Sequence, residues 1–269
     1  MKSYICFPGG KFKVLTMSYD DGKLEDRRLI EIFNKHGIKG TFHINSGMFA
    51  QEIRINPEEF STLYKGHEIA CHTLTHPTIA RCPLSEVIKE IGEDRTNLER
   101  IMHHPVQGLS YPNGSYSKEI EALLPGMGIK YSRIVGDSYC FELPDNLYEW
   151  KATCHHNHRL LELGEQFSSL TKKQYLYMMY VWGHSYEFGR DNNWDVMERF
   201  CEMVGNRDDI WYATNIDYVN YMEAAKRLVY AYDSSFVYNP SAMSVWICVN
   251  NDNYIEVPGG TQVELTTYA

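Results

Sequence analysis

The sequence predicts an α/β fold: repeated β-then-α units around a parallel sheet, with a small C-terminal β appendage. Two observations carry that reading. From Lys13 to about Tyr221, short apolar runs alternate with longer amphipathic segments, as expected when each strand is followed by a crossover helix. Beyond Arg227 the pattern changes to short strand-like runs separated by turn residues. Pattern alone leaves a closed barrel and an open sheet both possible. A chain of 269 residues, 43% of them hydrophobic, can bury a substantial core. We divide it into a main domain over 1–227 and an appendage over 228–269 packed against it.

Val14 to Met17 reads as the first strand and Leu24 to Lys35 as a helix, its apolar Leu29, Ile32 and Phe33 at helical spacing before Gly37 stops it. Gly40 to Ile44 is the next strand, Pro57 opens a short helix ending near Gly66, and His67 to Ala70 is a strand. Leu84 to Met102 has the length and periodicity of a long amphipathic helix. Strands follow at 106–110 and 130–135, then at Trp150 to Thr153 and Tyr177 to Trp182. A helix near Trp194 to Val204, a strand at Ile210 to Ala213 and a helix from Ile216 to Ala225 complete the series. In the appendage, Phe236 to Tyr238, Ser244 to Val249, Tyr254 to Val257 and Gln262 to Leu265 read as short strands.

A formal net charge of -9 argues against nucleic-acid binding, which needs a basic surface to displace counterions. No stretch approaches membrane-spanning length and no signal-peptide core is recognisable near Met1, so we expect a cytoplasmic protein without a membrane partner. The seven cysteines include no CxxC pair and read as reduced, mostly core thiols.

Four polar pieces each follow a predicted strand, where side chains from separate units converge at one face of a barrel. The first is Ser18-Tyr19-Asp20-Asp21-Gly22. Adjacent carboxylates repel unless a cation sits between them, and a divalent ion allows one Asp to be ligand and the other base. Asp-Asp-Gly alone is equally an ordinary turn. The second runs from Gly66 to Pro77 and contains His72 and His76. Histidines four apart share one face of a helical turn. With one carboxylate they form a facial set suiting Zn²⁺, with Fe, Co, Ni or Mn also compatible. The third, Ser110-Tyr111-Pro112-Asn113-Gly114, can aim a backbone N–H into a cleft. The fourth, Trp182-Gly183-His184, sets a histidine beyond a strand with an aromatic two residues earlier on the same side. Such a histidine can protonate a leaving amine near neutral pH.

In this order the pieces resemble the polysaccharide deacetylase family, also called NodB-like or carbohydrate esterase family four, over Met17 to His184. The resemblance implies a distorted, seven-stranded (β/α) barrel. It also implies Asp20 as catalytic base, Asp21, His72 and His76 as ligands of one divalent metal ion, and His184 as general acid. Trp182 and Tyr111 would line the substrate pocket, and the N–H of Asn113 would hold the oxyanion. Two departures stand out. The family's Arg-x-Pro-aromatic-Gly motif has Ser110 in place of its arginine, and its Asp-x-x-Asp-Trp motif has no clean counterpart between Tyr131 and Trp150. We expect Arg133 to reach Asp20 instead and keep the base ionised.

The implied activity is removal of an N-acyl group, acetyl above all, from an amino sugar, oligosaccharide or sugar conjugate. The missing arginine keeps a small non-sugar amide or cyclic ureide open as substrate, and a non-catalytic sugar-binding barrel is a third reading. His43 is expected at the cleft rim, and His155, His156 and His158 in a solvated loop. Tyr186, Glu187 and Arg190 are expected to shape specificity. Oligomeric state is not legible.

Overall fold

The computed structural model describes residues 2–268. Strand β1 (Ser3–Cys6) belongs to the appendage. The main sheet starts with β2 (Lys13–Asp20), β3 (Gly40–Ile44), β4 (Glu68–Cys71), β5 (Gly108–Ser110) and β6 (Tyr131–Asp137), each parallel to the one before. It continues through β7 (Trp150–Ala152), β8 (Cys154–His155) and β9 (Tyr177–His184). The ring closes within one short segment. β7 pairs with β6, and β8, two residues further on, pairs with β9, which itself lies along β2. Between them, Thr153 donates its N–H to Tyr180 O at 2.8 Å and accepts from Tyr180 N on Oγ1 at 3.0 Å. Counting β7 and β8 as one kinked strand, the path has the seven members expected. An extra strand, β10 (Ile210–Tyr212), runs beside the first three residues of β2.

Period-two alternation sorts the strand residues into two sets. Leu15, Met17 and Tyr19 of β2, Phe42 and Ile44 of β3 and Ile69 and Cys71 of β4 face outward into the main apolar cluster, with Leu29 and Phe33 of one helix and Val87, Ile91 and Leu98 of another. Thr16 of β2, Thr41 of β3, Glu68 of β4, Tyr131 of β6 and Tyr180 of β9 meet on the other side. There Asn215, opening the helix Asn215–Lys226, bonds Thr16 and Tyr180, and Glu68 accepts from Thr41, Tyr131 and the N–H of Ile216. Trp150 fills the space between Tyr131, Tyr180 and Tyr218, with ring centroids 4.8 to 5.5 Å away.

The helix Leu84–Met102 buries Val87, Ile91, Asp94 and Leu98 along one stripe. Asp94 therefore lies inside, where it accepts from the N–H groups of Ser46 and His72. Three helices went unread in the sequence: Lys118–Leu123, Leu160–Ser169 and Ser185–Arg190.

The division at residue 227 needs one correction. β1 pairs antiparallel with β13 (Val245–Val249), so the chain's first strand is part of the appendage sheet. β14 (Asn253–Val257) completes that sheet, and β11 (Val229–Tyr230), β12 (Phe236–Tyr238) and β15 (Gln262–Glu264) form another three-stranded sheet. No helix among the described residues is long and apolar enough to cross a membrane.

Candidate active site

Alternation along β2 turns Asp20 inward at the strand's C-terminal end, where it is 3% exposed. An Nη2 proton of Arg133 is donated to Asp20 Oδ2, and Ser110 Oγ donates to Oδ1 at 3.1 Å. Burial by itself would raise this carboxyl. The Arg133 guanidinium, helped by His72 and His43, outweighs it and holds Asp20 well below the usual carboxylate range. Arg133 is fully buried, and its guanidinium lies 4.4 Å from the Trp182 ring centroid. Trp182 is fixed in turn by donating Nε1–H to Asp137 at 3.1 Å.

Asp21 follows with φ at 83°, which turns its side chain away from the strand's alternation, and its N–H is donated to His43 O at 2.8 Å. Arg54 donates to the Asp21 carbonyl and stands 3.6 Å from Oδ1. The histidine pair is made differently from our expectation. Residues after β4 form no helical turn: Thr73 and His76 both take left-handed φ, of 64° and 62°. This bend brings the His72 and His76 rings edge to face at 4.7 Å. One donor atom each from Asp21, His72 and His76 then lies within 4.8 Å of the others.

His72 is committed in tautomer as well as place. Its Nδ1 lies 2.9 Å from Ser110 O, which can only accept, so the ring proton sits on Nδ1 and the Nε2 lone pair faces Asp20 and Asp21. Burial pushes His72 down to about 4, leaving it neutral near pH 7. Asp94 holds its N–H at 3.0 Å and Asn45 its carbonyl at 2.5 Å. Two imidazoles and one carboxylate, one imidazole locked with its lone pair presented, fit a borderline divalent cation.

His184 ends β9 directly beside Asp20. Glu187, one turn into the helix that follows, places Oε2 3.4 Å from His184 Nδ1 and 3.3 Å from its backbone N. Burial would lower His184, but Glu187 and the charge of Asp20 raise it overall. The ring is therefore biased toward its protonated form, as a proton donor requires.

A family profile described as polysaccharide deacetylase matches residues 8–132. Over that stretch, a little under half of its length, this chain resembles the polysaccharide deacetylase family. Among curated relatives, chitin deacetylase 1 of Cryptococcus neoformans var. grubii is 26% identical over 43% of this chain and 24% of its own length. A chitooligosaccharide deacetylase of Rhizobium leguminosarum bv. phaseoli is 27% identical over 41% of this chain and 47% of its own. The chain thus spans less than half the length of either. A solved Mycobacterium smegmatis protein assigned as a polysaccharide deacetylase shares the fold at TM-score 0.62 and 17% identity, over 82% of this chain and 94% of that one.

Against that family's pattern, several placements differ from expectation. Tyr111 is not in the pocket: it is 1% exposed, stacks on Tyr116 and donates its hydroxyl to Tyr148 O at 3.0 Å. Strand alternation explains this, because Ser110 is the residue of that pair facing Asp20. Asn113 is exposed, with φ at 57° and its amide on Thr78 Oγ1 at 3.2 Å. His43 is no rim residue but fully buried, its Nδ1 3.3 Å from Cys71 O, and burial pushes it down to about 3. His155 and His156 are buried, not solvated; only His158 is exposed, against Asp137 Oδ2 at 2.6 Å.

Sequence reasoning missed Ser110, Asn45, Arg54 and Asp94 as supports of the site. Ser110 alone carried a signal, since it stands where the family pattern has arginine. The others reach the site through loops or from a helix stripe that reads as core.

Proposed function

We propose that this protein removes an N-acyl group, acetyl above all, from an amino sugar, oligosaccharide or sugar conjugate by metal-assisted amide hydrolysis. The observation that carries the reading is the buried Arg133–Asp20 pair beside the Asp21, His72 and His76 donor set. It joins an ionised base to a cation site, a combination that a sugar-binding barrel does not require. Names of the relatives, chitin and chitooligosaccharide deacetylases, support a sugar amide as substrate.

Asp21, His72 and His76 would hold one divalent ion, Zn²⁺ by donor type with Fe, Co, Ni or Mn compatible, supplying Lewis-acid polarisation of the amide and a more acidic water. Asp20, kept ionised by Arg133, accepts the proton of the attacking water. Arg133 is then a positioning residue, since it acts through Asp20. Asn113, although exposed on the loop after β5, would offer its backbone N–H to the oxyanion, a contact of a kind whose loss costs about 3 kcal/mol in other enzymes. His184 delivers a proton to the departing nitrogen, and Trp182 forms the wall beside the acyl group.

Carboxylate release from a panel of N-acetylated and N-formylated sugars by metal-reconstituted protein tests this. Release that vanishes in Asp20→Asn and His72→Ala is expected. No release from any sugar, with the metal tightly bound, would overturn the sugar-amide reading.

A further inference from the structure

β8 and the helix Ser185–Arg190 bring together a second set of ligand-type side chains. His155 Nε2 lies 3.0 Å and His156 Nε2 3.4 Å from the same Glu187 oxygen, and one donor atom from each of the three residues lies within 4.8 Å of the others. Donors about 2.0–2.1 Å from a tetrahedral ion stand roughly 3.3 Å apart, so these spacings match a shared cation as closely as they match hydrogen bonds.

His156 separates the two. It is 1% exposed, held between the Tyr19 ring at 5.8 Å and the Phe188 ring at 4.1 Å, and neither ring nitrogen makes a hydrogen bond. A buried polar group left unpaired is destabilising, a cost that a phenyl ring in the same aromatic clamp would avoid. The space is also tailored to this imidazole: a Cβ on Gly183 would come within 2.0 Å of its Nδ1. Burial pushes His156 down to about 3, leaving it neutral with a lone pair to give. Glu187 stays ionised, because His155 and His184 outweigh its burial. A cavity of about 270 Å³ lined by His156, Asn157, Arg159 and Asn193 adjoins the His156 side of the cluster.

We propose that His155, His156 and Glu187 form a second divalent-metal site, selective for ions of the Zn²⁺ type and distinct from the Asp21, His72 and His76 set. At present Asn157 N–H is donated to His155 Nδ1 at 3.2 Å, which leaves the ring proton on Nε2 toward Glu187. Ligation through Nε2 moves that proton to Nδ1 and expels the Asn157 N–H. The ion also competes with His184 for Glu187, whose Oε2 serves both.

Co²⁺ is the probe, titrated calorimetrically and by its visible ligand-field bands into the full chain and its variants. Wild-type protein is expected to take up two equivalents and His156→Phe one, with Phe filling the clamp and the melting temperature reporting that it folds. In the His72→Ala protein one equivalent should remain, and adding Glu187→Gln should weaken it more than the ~10–100-fold typical of losing an outer-shell partner. A single equivalent in wild type that is lost in His72→Ala, or uptake in His72→Ala unchanged by His156→Phe, would overturn the proposal. No activity is measured, so failure here leaves the hydrolase reading untouched.

Discussion

Replacing Arg133 with Met removes the one cation bonded to a carboxylate that burial by itself would protonate. Removing one partner of a buried ion pair costs about 3–5 kcal/mol, because the remaining charge is stranded. Met fills much of the same space beneath Trp182, so little of that figure should come from packing. The pH dependence gives the sharper check. In wild type the Asp20 pKa is depressed, so its contribution to stability is present above the unfolded value of about 3.9 and lost only as pH falls through the lower folded value. Without Arg133, burial dominates and the folded pKa lies above the unfolded one. The deficit of the variant should then be full at pH 7 and shrink as pH falls toward 4. Urea unfolding of metal-free wild type, Arg133→Met, Asp20→Asn and the double variant at pH 7 and pH 4.5 measures this, with a coupling energy of at least about 2 kcal/mol expected at pH 7. Additive single-variant losses, or a deficit that does not change with pH, would refute the account.

Ser110→Ala removes the hydroxyl 2.6 Å from His72 Nδ1 and 3.1 Å from Asp20, and metal affinity by competition with a chelator should fall about 10–100-fold. Glu68 is pushed up to about 7 by burial, so the stability it contributes is present below its unfolded value and lost as pH rises through 7. Glu68→Gln should therefore gain on wild type between pH 5 and pH 8, by up to a few kcal/mol in urea unfolding. Gly183→Ala drives a methyl against His156 and should cost about 1–3 kcal/mol in the same assay, with no loss if His156 has room to move.

What the sequence made legible was whatever depends on neighbours along the chain. Asp20 and His184 could be placed because strands alternate and because polar residues at strand ends collect on one face of a barrel. Leu84–Met102 was readable from periodicity alone, yet Asp94 on its apolar stripe gave no hint that it would hold the His72 backbone. His72 and His76 do come together beside Asp21, but through a bend with two left-handed residues and not the helical turn expected, since spacing cannot distinguish the two. Tyr111 was misplaced because the motif does not say which of two adjacent residues faces inward. His155 and His156 read as a solvated loop because their burying partners, Tyr19, Phe188 and Glu187, lie far away in the chain.

The pairing of β1 with β13 also bears on how the molecule is made. Ser3 sits opposite Val249 and Cys6 opposite Trp246, while the Tyr221 hydroxyl donates to Cys6 O and accepts from Trp246 N at 2.9 Å. During synthesis, β2 can find β3 within a few tens of residues, but β1 has no partner strand until Val245–Val249 has left the ribosome. Closing so long a loop is slow relative to local barrel contacts. A nascent chain paused before that point would carry β1 as an unpaired strand, open to mispairing and to chaperone capture.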